Sequence, residues 1–463
     1  MTELLRRWVQ ALFIPLSGLR LPVIPAVALR GSAPRVTLGD WLITAVMARS
    51  RPKIRTELST LTLLAGREPS AARAAVLLLS TQALTAASAF GVSLLAATVM
   101  APAARGELAL WLQIVYLSST LALLGIERPM VAHAQGSARS VTAFVLARLA
   151  SAPATLAVLS FVALVWLILS SGSQLPLLLM TALSYVLTNV QLRAVRIGYL
   201  VSRDWRPFVS ITIGTHLVTI AVSLLLALLG AGDVRVWTLV YVVSGVVVLL
   251  YLGRDRDAPD VSLDVDVREL MRTSYRLIPA SIGNTAMLRS DRLLLPMLSS
   301  SAQLGLYVMV ATATELAAWP VQQYVDASLR KWRQQSPTIW SIHGRTAVGF
   351  GIGAGFAVLA GTLMHHIIMA WLPAYTDSLG LVPPLVLAAA IYSATRVQQG
   401  LLVSQARTGM ASLVETAGMV ASVLLYLALI PGLGAVGAAI GSVIGYSVGL
   451  VIGAVALSTR TVR

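Results

Sequence analysis

The sequence contains no cysteine, which excludes disulfide bonds and thiolate metal sites. It has five histidines in 463 residues. No two of them are four positions apart, and no Asp or Glu joins them at the spacing of metal ligands. We therefore expect no metal site and no cofactor. Charged residues are also scarce, at 12% against 57% hydrophobic residues. This balance is typical of a chain embedded in a lipid bilayer.

Acidic residues are few, with 19 Asp and Glu against 35 Lys and Arg, so the net charge is +16. In a soluble chain this excess would suggest a nucleic-acid partner. Here the basic residues lie between long apolar runs, where they indicate membrane topology instead. We expect the lipid bilayer, and not nucleic acid, to be the environment that this charge meets.

Twelve apolar runs are long enough to cross a membrane, which takes roughly 20 residues per helix. They lie near 71–99, 108–126, 149–170, 175–192, 208–230, 235–252, 276–299, 303–328, 346–372, 379–400, 410–431 and 434–457. With a cytoplasmic start, 31 of the 35 basic residues fall on the inner side. Only Arg105 and Arg235 lie outside, and Arg289 and Arg292 lie within a span. The charge asymmetry predicts a multi-pass protein with both termini in the cytoplasm.

The chain is predicted to have five parts. Residues 1–70 form a basic cytoplasmic or interfacial segment that rests on anionic lipid, or else a poorly ordered tail. Residues 71–252 and 275–458 each hold six spans, 253–274 form a polar cytoplasmic linker, and 459–463 a cytoplasmic tail. The outer connections are very short and leave no room for a catalytic domain. We therefore expect no enzyme.

The two halves resemble each other in sequence. Arg105-Gly106-Glu107-Leu108 follows the first span and Leu304-Gly305-Leu306-Tyr307 follows the seventh, at a constant offset of 199. Parallel repeats of this kind occur in transporters, with the substrate site between the halves. The predicted fold is an all-α integral membrane protein of about 12 transmembrane helices. Its two six-helix lobes would be related by a pseudo-two-fold axis along the membrane normal.

Span 7 holds the least expected residues, because Asn284, Arg289, Asp291 and Arg292 interrupt an apolar run. On a helical wheel they fall on one face. Charges at membrane depth cost from about 3 kcal/mol upward unless they meet water or a partner. We interpret this face as a cationic cavity wall for an anionic headgroup, with Asp291 holding an arginine in place. The alternative is a structural Asp291–Arg292 ion pair with Arg289 reaching the interface.

Other polar residues near the membrane are weaker candidates. Glu315 in span 8 and Glu415 in span 11 are predicted to pair with a cavity arginine or to bind a proton, unless they are structural. A cytoplasmic vestibule is predicted from Arg193, Arg196, Arg396 and Gln398, although inner-leaflet anchoring explains the arginines equally well. Glycine recurs at every fourth position from Gly437 to Gly453, which predicts close helix packing within the second lobe.

Two stretches resemble polysaccharide flippases of the multidrug/oligosaccharidyl-lipid/polysaccharide exporter superfamily. One is Arg289-Ser-Asp-Arg-Leu-Leu-Leu-Pro-Met-Leu298 followed by Gln303-Leu-Gly-Leu-Tyr307, and the other is Leu429-Ile-Pro-Gly-Leu-Gly-Ala-Val-Gly-Ala-Ala-Ile440. The resemblance covers about 71–458. It implies two lobes around a central cavity, alternating access, and outward transport of a polyprenyl-pyrophosphate-linked oligosaccharide for cell-surface polysaccharide synthesis. The cationic cavity of this family maps onto Arg289 and Arg292.

The resemblance also implies a cellular location and partners, and it leaves alternative functions open. The expected location is the cytoplasmic membrane of a bacterium, and the expected partners are the polyprenyl-linked glycan, the bilayer and glycan-assembly enzymes. A proton- or sodium-coupled multidrug exporter of the same superfamily is the nearest alternative, and it would prefer a carboxylate-lined cavity. A membrane glycosyltransferase or polymerase would need a sizeable outer loop, which the spans do not leave.

Overall fold

The computed structural model describes residues 71–123, 136–149, 175–202, 205–254, 288–334, 338–405 and 407–459, with isolated positions at 126, 127, 130, 270–272 and 274. The chain divides into two compact units, Met1–Leu78 and Leu79–Arg463. The described part of the first unit is the beginning of one helix, 71–78. All the architecture and contacts below belong to the second unit. The predicted segment 1–70, the third span beyond 149 and most of the linker 253–274 lie outside the described residues.

The described residues form helices and contain no strand. The first six helices are α1 (Ala71–Val99), α2 (Pro102–Ala122), α3 (Ala138–Leu149), α4 (Leu175–Ser202), α5 (Trp205–Leu228) and α6 (Val234–Arg254). The others are α7 (288–298), α8 (Ser301–Glu315), α9 (Ala318–Gln334), α10 (Ile339–Trp371), a 3-10 helix (Pro373–Leu381), α11 (Val382–Ser404) and α12 (Thr408–Ser458). The predicted all-helical class is confirmed.

Five described stretches are long and apolar enough to cross a membrane: Val209–Leu228, Ser301–Val325, Ile339–Trp371, Pro373–Ser404 and Gly409–Ser458. Each overlaps a predicted span. The predicted eighth span is interrupted, since α8 ends at Glu315 and α9 begins at Ala318. The predicted last two spans form one element, α12, which is broken at Gly434 (φ 54°, ψ −130°). Glycine suits this turn because other residues rarely adopt a positive φ.

Helix α10 shows the surface of a lipid-facing helix. Its apolar side chains Phe356 and Leu359 are exposed at mid-length, and its two ends carry Trp340 and Trp371, which are 86% and 73% exposed. Trp371 follows Trp340 by 31 positions, which corresponds to roughly 46 Å of helix. Tryptophan is enriched where a membrane meets water. The spacing therefore fits a helix that crosses the whole bilayer.

The two halves contact each other at Gly106 and Gly305, the two glycines that share a position in the sequence repeat. Gly106 at the start of α2 lies against the backbone of Ser301, and Gly305 in α8 lies against the backbone of Pro102. A Cβ atom at either glycine would overlap a carbonyl oxygen of the other helix. The Tyr375 hydroxyl adds a hydrogen bond to the Met100 carbonyl at 2.9 Å. These contacts join the predicted outer ends of the two lobes.

The glycine stripe of α12 packs inside the second lobe, as predicted. Gly441 lies against Tyr426, and Gly445 lies against Ser422, so the two segments of α12 fold back on each other. Further along, Gly449 contacts Thr395 and Gly453 contacts Gln398, both on α11. The small residues allow the close approach that membrane helices use in place of a hydrophobic driving force.

Candidate functional site

A cavity of about 750 Å³ lies between the helices of the first half and those of the second. Its described lining holds six arginines and one carboxylate, that of Glu315. By the predicted topology, the arginines form three levels: the inner end, the centre and the outer end. They are Arg193, Arg196 and Arg396, then Arg289 and Arg292, and finally Arg105. Such an excess of one sign makes the cavity attractive to anions.

The central level is built by α7 and the end of α8. Arg289 and Arg292 are three residues apart on α7, so their side chains project from the same face. Both bind Glu315: Arg289 Nη1 lies 3.0 Å from its Oε2, and Arg292 Nη2 lies 2.5 Å from its Oε1. Arg289 also stacks over the ring of Tyr116 on α2, at 5.6 Å. The central site therefore has walls from both halves of the chain.

Asp291 does not take the position that the helical wheel predicted for it. Its side chain is buried and is absent from the described cavity lining. One carboxylate oxygen accepts a hydrogen bond from the Tyr307 hydroxyl at 2.6 Å, and the other accepts one from the Arg292 backbone N–H at 2.7 Å. Among the described contacts, the arginines pair with Glu315 instead. The expected pairing of an arginine side chain with Asp291 is thus corrected, since residues 291 and 292 point about 100° apart on the helix.

At the predicted inner end, Arg193 is bound on two sides of its guanidinium group. Its Nε and Nη2 donate to the Glu127 carboxylate at 2.9 and 3.3 Å, and its Nη1 donates to Thr120 Oγ1 at 3.0 Å. Arg196, one turn further along α4, is exposed and also lines the cavity. Both arginines of the predicted vestibule therefore line the cavity.

Arg396 completes the inner level from the second lobe. Its Nε and Nη2 donate to Gln322 at 3.0 and 2.7 Å, and its Nη1 donates to Gln399 at 2.7 Å and to Glu415 at 3.4 Å. Glu415 does not belong to the described lining. It therefore supports a cavity arginine from behind, as one of the two predicted uses of this residue requires.

Two further predicted residues are not brought to the cavity by the structure. Gln398 is buried within the second lobe against Gly453, and it is absent from the described lining. Its assignment to the vestibule is corrected: it follows Arg396 by two positions, which turns it to the far side of α11. Asn284 lies outside the described residues, so its place on the polar face stays a prediction.

Two helices of the first lobe carry stripes of hydroxyl side chains that hydropathy did not predict. On α5 the stripe is Thr212, Thr215 and Thr219, with His216 beside it, and on α1 it is Thr81, Thr85 and Ser88. The stripes meet where Thr85 Oγ1 lies 2.9 Å from His216 Nε2. Their spacing of three and four residues is the signal that could have found them. The place of Arg105 in the cavity lining was not predicted either, because the charge topology places it in an outer loop.

Among the described residues, no three His, Asp or Glu side chains lie close enough together to hold an ion.

The fold matches that of known membrane transporters. A structure described as the inward-facing conformation of a multidrug resistance MATE family transporter of the MOP superfamily matches with a TM-score of 0.57 and 15% identity, over 84% of this chain and 99% of that one. A MATE P26A mutant matches with a TM-score of 0.52 and 15% identity, over 84% and 94%. The chain thus has the two-lobe fold of MOP-superfamily transporters.

The family follows from the sequence. A family model described as "Polysaccharide biosynthesis protein" matches residues 95–331, just over half of the chain. The chain belongs to this family. No curated protein matches it.

Proposed function

We propose that this protein moves a polyprenyl-(pyro)phosphate-linked oligosaccharide from the inner to the outer leaflet of a bacterial cytoplasmic membrane by alternating access. The observation that carries the proposal is the charge of the cavity, where six arginines face one carboxylate in the described lining. Buried or half-buried arginines in a membrane protein need anionic partners. A pyrophosphate supplies several acceptor oxygens in one compact group.

The central arginines have the geometry for this role. Arg289 and Arg292 already converge on the two oxygens of one carboxylate, with contacts of 3.0 and 2.5 Å. Guanidinium groups donate hydrogen bonds in pairs and match carboxylate and phosphate oxygens alike. A pyrophosphate that approaches them competes with Glu315. The Glu315 carboxylate therefore occupies the position that the substrate anion would take between the two arginines.

The first lobe offers a surface suited to sugars. The hydroxyl stripes of α1 and α5 line the cavity opposite the second lobe, and Asn189, Gln113 and Ser244 add further hydrogen-bonding groups. Hydroxyl and amide groups both donate and accept hydrogen bonds, as sugar hydroxyls do. The guanidinium groups would thus bind the phosphates, and the hydroxyl groups of the first lobe would bind the glycan. The lipid tail would stay in the bilayer.

The membrane potential supplies a driving force for this direction of transport. An inside-negative potential favours outward movement of an anion by about 2.3 kcal/mol per charge per 100 mV if the charge crosses the whole field. Export of a pyrophosphate-linked substrate therefore needs no dedicated coupling ion.

The competing function is export of cationic drugs, which would rely on carboxylates in the cavity. The described lining has only Glu315, and its charge is already bound by two arginines. This pairing leaves little negative potential for a cationic drug.

Depletion of the protein in its native cells tests the proposal directly. We expect a lipid-linked oligosaccharide to accumulate on the cytoplasmic leaflet, and its extraction and glycan analysis would identify the substrate. Normal surface polysaccharide combined with new sensitivity to cationic drugs would refute the proposal and support the drug exporter.

The variant Glu315→Gln separates the two functions at one residue. It keeps the side-chain size but removes the charge that competes for Arg289 and Arg292. We expect inorganic pyrophosphate to bind about tenfold more tightly, which corresponds to ~1.4 kcal/mol, in equilibrium binding to the purified protein. Glu107→Gln is the matched control, because Glu107 is exposed and absent from the described lining. Unchanged pyrophosphate binding together with lost drug efflux would favour the rival.

A further inference from the structure

Arg105 is a buried cation with donors left over. It lies in the first turn of α2, is 4% exposed, and lines the cavity. Its Nη2 donates to Ser93 Oγ at 2.6 Å. Its Nε and Nη1 are buried, and no acceptor in the described part of the chain bonds to them. Buried donors without partners are rare and costly, so their presence needs a reason.

Packing does not supply that reason. The repeat offset of 199 that pairs Gly106 with Gly305 also pairs Arg105 with Leu304. Leu304 is completely buried in the core of the second half. A leucine therefore satisfies the packing at this position of the repeat. Arg105 replaces it with a charge whose burial is unfavourable.

The position of Arg105 extends the line of cavity arginines outward. It precedes Tyr116 by 11 residues on α2, which is roughly 16 Å of helix, and Tyr116 lies under Arg289. Arg292 is one turn nearer the outer end of α7 than Arg289. Arg105 and Arg292 both carry a positive charge and both line the cavity. An anion between them would be attracted to both charges and would bond to the spare donors of Arg105.

We propose that Arg105 is a second anion-binding residue, at the outer end of the cavity, that receives the phosphate group of the substrate from Arg289 and Arg292. This inference rests on the proposed function. Ser93 holds one arm of the guanidinium group in place, so the other two nitrogens are already oriented for phosphate oxygens. The contact between Gly106 and Ser301 lies beside this residue in the chain. The phosphate would thus be held next to the place where the outer ends of the lobes meet.

The test compares Arg105→Leu and Arg105→Lys with wild type in the full-length purified protein, with inorganic pyrophosphate as the probe. We expect Arg105→Leu to weaken binding by about tenfold or more. Arg105→Lys keeps the charge and loses only the fork of donors, so we expect a loss of about threefold. Arg235→Leu is the control, since Arg235 is the other outer arginine and its exposed side chain faces Asp233. It should bind as wild type does.

Thermal stability distinguishes a binding residue from a structural one. Arg105→Leu introduces the residue that the other half uses, so its melting temperature should equal or exceed that of wild type. A lower melting temperature with unchanged pyrophosphate binding would overturn the inference and make Arg105 a structural residue.

Different results would refute the outer anion site and the proposed function. If Arg289→Ala/Arg292→Ala loses pyrophosphate binding and Arg105→Leu keeps it at the wild-type level, the outer site is refuted and the proposed function stands. If wild type itself does not bind pyrophosphate, both are refuted.

Discussion

Arg289→Ala/Arg292→Ala is expected to reduce export by about 100-fold or more. Each arginine is positioned to make charge-assisted hydrogen bonds to the substrate phosphates, and such bonds contribute roughly 1.5–3 kcal/mol each. Loss of both corresponds to about 3–6 kcal/mol, or roughly two to four powers of ten in affinity. The measurement is the amount of lipid-linked oligosaccharide that accumulates on the cytoplasmic leaflet of cells carrying the variant.

The control for this variant must separate binding from folding. The double change leaves Glu315 without its two partners, and an unpaired carboxylate is destabilising in the membrane. Adding Glu315→Ala removes that penalty, so the triple variant should recover its melting temperature but not its export. Arg235→Ala, which changes an exposed residue outside the described cavity lining, should export normally. Normal export by the double variant would refute the role of both arginines.

The fold could be predicted because its signals are local and redundant. Apolar length and the bias of basic residues toward one side each indicate the spans, and described helices coincide with most of them. The repeat offset predicted two related halves, and the structure brings its two glycines, Gly106 and Gly305, into contact. The break of the eighth span between Glu315 and Ala318 was not predictable from hydropathy, because the residues there remain apolar.

The site could be predicted only in part, because a helical wheel gives the direction of a side chain but not the residue that it contacts. It placed Arg289 and Arg292 on one face, and both line the cavity. It could not tell that Tyr307 of α8 would face Asp291 from within the lobe. Nor could it tell that Glu315 would lie between the arginines, since that contact depends on where α8 ends.

Two further features of the site were not predicted, for different physical reasons. Threonine is neutral enough to count as part of an apolar run, so the stripe of Thr212, Thr215 and Thr219 was read only as a span. Arg105 was counted only by its side of the membrane. A charge count cannot distinguish an exposed loop arginine such as Arg235 from a buried one, because that difference depends on the helices that pack around it.

Gly106→Ala is expected to prevent the outer ends of the lobes from closing. The added Cβ would overlap the carbonyl oxygen of Ser301, which is backbone and cannot rotate away. Overpacking of this kind costs typically 1–3 kcal/mol, which shifts a two-state equilibrium by roughly 5- to 150-fold. If transport alternates between two such states, export should fall about tenfold or more. Gly305→Ala meets the Pro102 carbonyl in the same way and should have the same effect.

A single thiol reports the state of the outer contact in Gly106→Ala. The chain has no cysteine, so Ala109→Cys, in the cavity lining one turn after Arg105, is the sole site for a membrane-impermeant thiol reagent. Applied from outside the cell, the reagent should label this thiol faster in Gly106→Ala than in the parent. Gly91→Ala is the matched control, because a Cβ there meets nothing within 4 Å. Equal labelling in all three proteins would mean that the contact between α2 and α8 does not close the outer end, and that the repeated glycines serve packing alone.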